Sequence, residues 1–427
     1  MTNPTEMLFE ALDLPEQLQR GVRAAGFTHC TPIQAQTLPL ALSGKDVAGQ
    51  AQTGTGKTAA FLLASFNRLL NNASTTGKAL RGPRAIMLAP TRELAIQIHE
   101  DAKTLGSSTK LRCQVVYGGT DYEEQRQRLA SGVDVLIGTP GRFIDYFKQR
   151  VFSLKDVQVM VLDEADRMFD LGFIRDIRYV LRRLPPAESR LNMLFSATLS
   201  QRVIELAYEH MNDPEVIRIE PDKLTVDQVT QLVYFPSNDE KAPLLISLLR
   251  STGATRTMIF VNMKRDAERV AQILQHNGMS AEAISGNVPQ KKRMSMLRRF
   301  QSGKLPVLVA TDVASRGLHV PNVSHVVNYD LPFDREDYVH RIGRTARAGA
   351  SGDAISFACE SYAGSLPDIE AFLGHSIPVG SIDLGSLADV EIPPPPRRRP
   401  KSRGRSPSPR GQSNRGKRSG TKPPGRP

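Results

Sequence analysis

The chain of 427 residues has no tryptophan and only three cysteines, Cys30, Cys113 and Cys359, with no C-x-x-C pair among them. That count and spacing argue against a disulfide framework and against a cysteine-built zinc site. No apolar run is long enough to cross a bilayer, so no membrane segment is expected. The N-terminus carries Glu6, Glu10, Asp13 and Glu16, unlike a signal peptide, and the plain expectation is a cytoplasmic protein. Acidic residues are absent from Pro393 to Pro427, where 12 Lys or Arg stand. Taking those 12 from the totals of 56 basic and 44 acidic residues leaves 44 against 44. The net charge of +12 therefore belongs to the tail. If the neutral remainder binds nucleic acid, it must use local placement and backbone donors.

What is present fits a soluble α/β chain long enough for two core domains and a tail. Residues 1–25 read as helix, with Leu8, Leu12, Leu18 and Val22 near helical spacing and Pro15 at an early helix position. Phe27 and Gln34 follow. A ring can stack on a purine and an amide can pair with its edge, but taken alone the two read first as a core Phe and a capping Gln.

The stretch Ala51 to Thr58, AQTGTGKT, lies between a short apolar run and a helical pattern from Ala59 to Leu70. A strand, a Gly-rich turn and a helix make a phosphate cradle. Lys57 would reach the β- and γ-phosphates and Thr58 would hold Mg²⁺. Ala51 stands where the general pattern has its first Gly.

Short apolar runs then recur, each closing on polar or Gly residues before a helical pattern: Ala85–Ala89, Val115–Tyr117, Val133–Ile137, Val157–Leu162 and Met193–Phe195. This is the βα rhythm of an open parallel sheet, whose ligands bind at the carboxyl ends of the strands. A second series follows with Met258–Val261, a helix over 264–276, a basic helix over 290–300, Val307–Ala310, Val326–Val327 and Ala354–Ala358, but with no second Gly-Lys-Thr loop. The expected organisation is a first domain over 1–217, a linker over 218–232, a second domain over 233–378 and a disordered basic tail over 379–427.

Asp163-Glu164 at a strand end suits an NTPase: one carboxylate for Mg²⁺, the next for the attacking water. Arg344 and Arg347, three apart, would share a helix face. They read either as arginines offered to a γ-phosphate or as a basic face for RNA.

With PTREL at 90–94, Gly118-Gly119, TPGR at 139–142, D-E-A-D at 163–166, SAT at 196–198, TDVASRG at 311–317 and HRIGRTAR at 340–347, the ordered set resembles a DEAD-box RNA helicase over roughly residues 8–375. The resemblance implies two tandem RecA-like α/β domains with parallel sheets, and Ala at the first loop position is usual in that family. It implies an ATP site of Phe9, Phe27, Gln34, Ala51, Gln52, Thr53, Gly54, Thr55, Gly56, Lys57 and Thr58, with Mg²⁺ at Thr58 and Asp163 and water activation by Glu164. Arg344 and Arg347 complete the site; Ser196, Thr198 and His340 couple hydrolysis to duplex opening. Thr91, Arg92, Gly119, Thr139, Arg142 and Thr311 line an RNA backbone that is read without regard to sequence. Three positions depart from the family: Cys30 for a common Pro, Ala346 for a common Gly, and His319 for an Asp that touches the ATP ribose.

CTPIQ at 30–34, the run at 162–178 and ATDVASRGLHV at 310–320 further fit a subgroup that docks on an endoribonuclease scaffold in the bacterial RNA degradosome. The implied activity is RNA-stimulated ATP hydrolysis with local unwinding of short RNA duplexes during RNA decay. An ATP-gated RNA clamp or assembly factor with little unwinding is the alternative, and a DNA-directed ATPase a third. The tail reads as a loose RNA tether or as a solubilising extension.

Overall fold

The computed structural model describes residues 7–52, 54–72, 82–219, 229–253, 255–286, 288–315, 320, 323–345, 352–382, 385 and 387–394. Two wholly parallel sheets organise them. The first contains β1 (Val47–Gln50), β2 (Ala85–Leu88), β3 (Cys113–Val116), β4 (Val135–Gly138), β5 (Val159–Asp163), β6 (Leu191–Ser196) and β7 (Glu215–Arg218), in the order β3-β4-β2-β5-β6-β1-β7. The second contains β8 (Val229–Tyr234), β9 (Thr257–Phe260), β10 (Ala281–Ile284), β11 (Val307–Ala310), β12 (His325–Asn328) and β13 (Gly352–Phe357), in the order β10-β11-β9-β12-β13-β8. These are the two RecA-like lobes expected from the sequence.

Alternation along each strand divides the first core into two layers. Met87, Val161 and Met193 point to one face, where α1 (Glu16–Ala24), α2 (Pro32–Leu42), α3 (Lys57–Asn71) and α4 (Arg92–Leu105) pack. Ile86, Leu88, Met160, Leu162 and Leu194 point to the other, covered by α5 (Tyr122–Ala130), α6 (Pro140–Lys148), α7 (Ala165–Asp170), α8 (Ile174–Leu181) and α9 (Gln201–His210).

Several sequence expectations are corrected. Residues 1–6 of the single helix expected over 1–25 lie outside the described residues; the rest is instead a 3₁₀ turn, Phe9–Ala11, followed by α1 from Glu16, with Pro15 at its N-cap. Leu12 and Leu14 are buried in the chain between, so their apolar spacing came from the core rather than from a helix. The linker expected over 218–232 is bounded by strands: β7 ends at Arg218 and β8 begins at Val229. Residues 379–391, expected in the disordered tail, dock on the second lobe. Val233 donates its N–H to the Pro378 carbonyl at 2.9 Å, and the Gly380 N–H returns to Val233 at 2.8 Å. Ile382, Leu387, Ala388 and Val390 pack on the second core. The tail from residue 395 lies outside the described residues.

Gly21 lets α1 touch the end of α4. A Cβ there would fall 1.9 Å from the Leu105 carbonyl oxygen, a backbone atom that cannot rotate aside. Gly21→Ala is expected to lower stability by about 2 kcal/mol, within the usual range for overpacking, read as a lower urea midpoint with an unchanged slope.

Candidate nucleotide and RNA sites

All strands of the first sheet run in the same direction, so their carboxyl ends form one edge. The phosphate loop leaves β1, Asp163 ends β5 and Ser196 ends β6, which lies between them in the sheet. The loop turns through Gly54 (φ +93°) and Gly56 (φ +90°), a backbone region that L side chains avoid. Lys57 then opens α3. Its ammonium is buried 3.0 Å from Asp163 Oδ1. Burial alone pulls the Lys57 ammonium down, but Asp163, Glu164 and Asp166 together hold it above its ordinary value. Burial pushes the Asp163 carboxyl up, against the opposing pull of Lys57. Asp163 Oδ2 is buried with no hydrogen-bond partner among the described residues. With Thr58 lining the same cavity, these hard oxygens suit a magnesium ion. No group of three or more His, Cys, Asp or Glu residues that could hold a metal is found among the described residues.

Glu164 is one of three non-glycine residues at positive φ among the described residues (φ 55°, ψ 54°). The strain is held by hydrogen bonds on both sides of it. Its N–H donates to Asp163 Oδ1 at 3.0 Å. The Asp166 N–H donates to Ser196 Oγ at 3.2 Å. Thr198 donates from its N–H and its hydroxyl to Asp166 Oδ2 at 3.1 and 3.3 Å. Asp166 thus joins the acidic turn to Ser196 and Thr198. Sequence reasoning gave it no role, although the fourth letter of the motif was the signal.

Phe27 is 39% exposed and stacks on Phe9, with centroids 5.8 Å apart. Phe9, expected at the ATP, is 1% exposed and can only back Phe27. Gln34 serves as a cap: the Thr31 N–H donates to its Oε1 at 2.8 Å, and its Nε2 donates to the Gly56 carbonyl at 2.9 Å. One N–H and one lone pair of that amide remain for a base. A cavity of about 440 Å³ runs from Phe27 past Gly54, Gly56, Lys57 and Thr58 to Asp163. Ala51 is buried, and Thr55 bonds the Gln52 carbonyl at 2.9 Å. Thr53 lies outside the described residues.

The other half of the edge, at β2, β3 and β4, carries most of the residues expected on RNA. Thr91 caps α4, accepting from the Leu94 N–H at 3.3 Å. Arg92 lies against Gly119 (φ +83°), where a Cβ would meet its guanidinium at 2.5 Å. Thr139 caps α6, and Arg142 lies 5.0 Å over the Tyr122 ring and 5.4 Å over Tyr146. Thr311 is buried at the end of β11 in the second lobe. The two expected sites are thus halves of one sheet edge, with β2 beside β5 at the join.

In the second lobe the helix Arg335–Ile342 ends before Arg344, which is buried in the following turn. The helical face expected for Arg344 and Arg347 falls partly outside the described residues; Arg344 itself lies past the helix end, after the C-cap Gly343. Arg347, Ala346 and His319 lie outside the described residues.

A model of the DEAD/DEAH box helicase family matches residues 31–206, and one of the helicase conserved C-terminal domain matches residues 240–349. An ATP-dependent RNA helicase RhlB of Xanthomonas oryzae pv. oryzae is 61% identical over 376 residues, covering 88% of this chain and 66% of that protein. One of Shewanella frigidimarina is 55% identical over 389 residues, covering 91% of this chain and 89% of that one. The chain belongs to the RhlB family of DEAD-box ATP-dependent RNA helicases. It spans about two thirds of the length of the Xanthomonas relative. Saccharomyces cerevisiae Dbp5 bound to RNA and ADP BeF3 is 32% identical, with a TM-score of 0.77 over 88% of this chain and 95% of that one.

Arg341, Glu93, Gln290 and Arg293 carried no individual role from sequence, whereas His340 was expected to couple hydrolysis to duplex opening. Arg341 is buried and bonds Asp312 (Nη2–Oδ2, 2.6 Å), Asn262 (2.8 Å) and the Asp330 carbonyl (2.6 Å). It ties three strand ends of the second lobe together. His340, one turn of helix from Asp337, lines a cavity of about 640 Å³ with Asp166 and Thr198 of the first lobe. Glu93 meets Arg293 across the lobes at 2.6 Å, and Gln290 donates to the same carboxylate at 3.1 Å. Glu93 and Arg293 are 9% and 8% exposed. PTREL and a basic helix over 290–300 were visible, but nothing in one dimension pairs residues 200 apart. Removing the carboxylate leaves a buried guanidinium without its countercharge, which is costly. Glu93→Ala is expected to separate the lobes, read as a larger radius of gyration by small-angle scattering, and to lower ATP turnover about tenfold.

Proposed function

We propose that this chain couples RNA-stimulated ATP hydrolysis to local opening of short RNA duplexes. The observation that carries the reading is the connection from Asp163 and Glu164 along the chain of the acidic turn to Asp166, by hydrogen bonds that join Asp166 to Ser196 and Thr198, and across the lobe boundary to the cavity that His340 lines. A change at the phosphate end of that path alters the geometry on which the second lobe rests.

In this reading Phe27 stacks on adenine and Gln34 reads its edge while tethering the phosphate loop through Gly56. Lys57 binds the terminal phosphates, and ATP binding draws its ammonium from Asp163. Thr58 and Asp163 would hold Mg²⁺, which when bound would supply positive charge to offset that on the phosphates. Glu164, held at the strained turn, orients the attacking water and takes its proton. Arg344 and Arg347 bring positive charge to the γ-phosphate from the second lobe. Thr91, Arg92, Gly119, Thr139 and Arg142 grip one RNA strand by its backbone, with Thr311 on the second lobe. The strand follows the lobes as they close, which separates a few base pairs without reading sequence.

The cellular setting we propose is RNA decay alongside an endoribonuclease scaffold, a reading supported by the likeness to RhlB. The basic tail would hold RNA loosely near the lobes.

The test is ATP turnover with and without single-stranded RNA, beside strand displacement of a short RNA duplex. RNA is expected to stimulate turnover, DNA to do so far less, and Glu164→Gln to reduce the stimulated rate about 100-fold or more. Strand displacement should fall with it. Stimulated turnover without displacement would instead indicate an RNA clamp.

A further inference from the structure

The cavity between Phe27 and the phosphate loop has a second wall, formed by one stripe of α4. Leu94, Gln97, Asp101 and Thr104 recur at helical spacing and line it together with Phe27 and Gly56. None of them belongs to the site as described so far. Asp101 is the charged group among them. It is half-buried, and its carboxylate makes no hydrogen bond or ion pair with the described residues. Burial, with a smaller contribution from Glu100, pushes that carboxyl up to about 6. A desolvated carboxylate with no partner is costly unless something else supplies a donor.

The rest of the cavity restricts what that donor can be. Lys57 and the loop amides take the phosphates, and a carboxylate repels phosphate oxygens. Phe27 is the exposed ring on which a base would lie. The group facing Asp101 is then in the neutral, nucleoside half of the ligand. We infer that Asp101 is a nucleotide-binding residue whose carboxylate accepts a hydrogen bond from an N–H or O–H of the adenosine moiety, either the exocyclic amine or a ribose hydroxyl. This rests on the cavity being the ATP site.

The experiment measures binding to the full chain by isothermal titration calorimetry, using ADP, 2′-deoxy-ADP, 3′-deoxy-ADP and purine riboside diphosphate, which lacks the amine. Asp101→Ala removes the acceptor, and Asp101→Asn keeps a neutral one. Asp101→Ala is expected to weaken ADP binding about tenfold, as for a lost hydrogen bond to a charged group, with Asp101→Asn between it and the wild type. The analogue that lacks the donor Asp101 uses should bind the wild type as weakly as ADP binds Asp101→Ala, and lose nothing further in the variant. If ADP binds both variants as it binds the wild type, or if Asp101→Ala weakens ADP and all three analogues by the same factor, the inference is overturned. Lys57→Ala is run in parallel. Undiminished ADP binding by that variant would remove the ATP-site reading itself, and this inference with it. Thermal unfolding of each variant confirms that the lobes are folded before binding is compared.

Discussion

The buried contact between Lys57 and Asp163 is the constraint on which the first lobe depends. An ammonium and a carboxylate cannot each be buried alone at tolerable cost, so the loop after β1 and the end of β5 are held to one geometry. That geometry is possible because β6 sits between β1 and β5 and all three run parallel. Gly54 and Gly56 supply the positive φ angles that bring Lys57 to the strand ends. The pair also keeps an ammonium and an unbonded carboxylate oxygen oriented toward the cavity before any nucleotide arrives.

From Asp163 the structure builds outward by short hydrogen bonds rather than by long-range packing. Glu164 is held in a left-handed conformation that only its neighbours justify, and Asp166 carries the connection to β6 and Thr198. Along the same edge, β2 joins the nucleotide half to the half that carries Arg92, Gly119 and Arg142. One sheet edge therefore places both chemistries within a few strand widths of each other, about 5 Å per step.

The second lobe supplies a different kind of order. Arg341 is buried under Asp312, Asn262 and Asp330, a network whose charges would be costly if any member were lost. Arg344 leaves the helix end immediately beyond it. Across the boundary, Glu93 stands at the first turn of α4 and is met by Arg293 and Gln290. α4 thus begins at the lobe contact, carries Asp101 along the cavity beside the phosphate loop, and ends under Gly21. Displacement of either lobe acts on the same helix.

Much of this was legible in one dimension. Central strands such as Ala85–Leu88 and Val159–Asp163 are buried on both faces, so they appear as continuous apolar runs, and the phosphate loop and acidic turn follow them directly. Edge and amphipathic strands were not legible. β7 is mostly exposed, β8 alternates buried and open positions, and β10 is short and only half-buried, so none carries the signature of a buried run. The spacing of Leu8, Leu12, Leu18 and Val22 suggested one helix, but only Leu18 and Val22 lie on a helix, Leu12 is buried in the segment before it, and Leu8 is exposed. Sequence alone determined the parallel α/β class and the residues that close each strand, because local apolar runs and turn residues act over short distances. Only the tertiary structure decided that Phe9 backs Phe27, that Gln34 caps α2 against Gly56, that Glu93 meets Arg293, and that Asp101 faces the cavity beside the phosphate loop. Those pairings depend on how separate elements pack in space, and no local property of the chain encodes them.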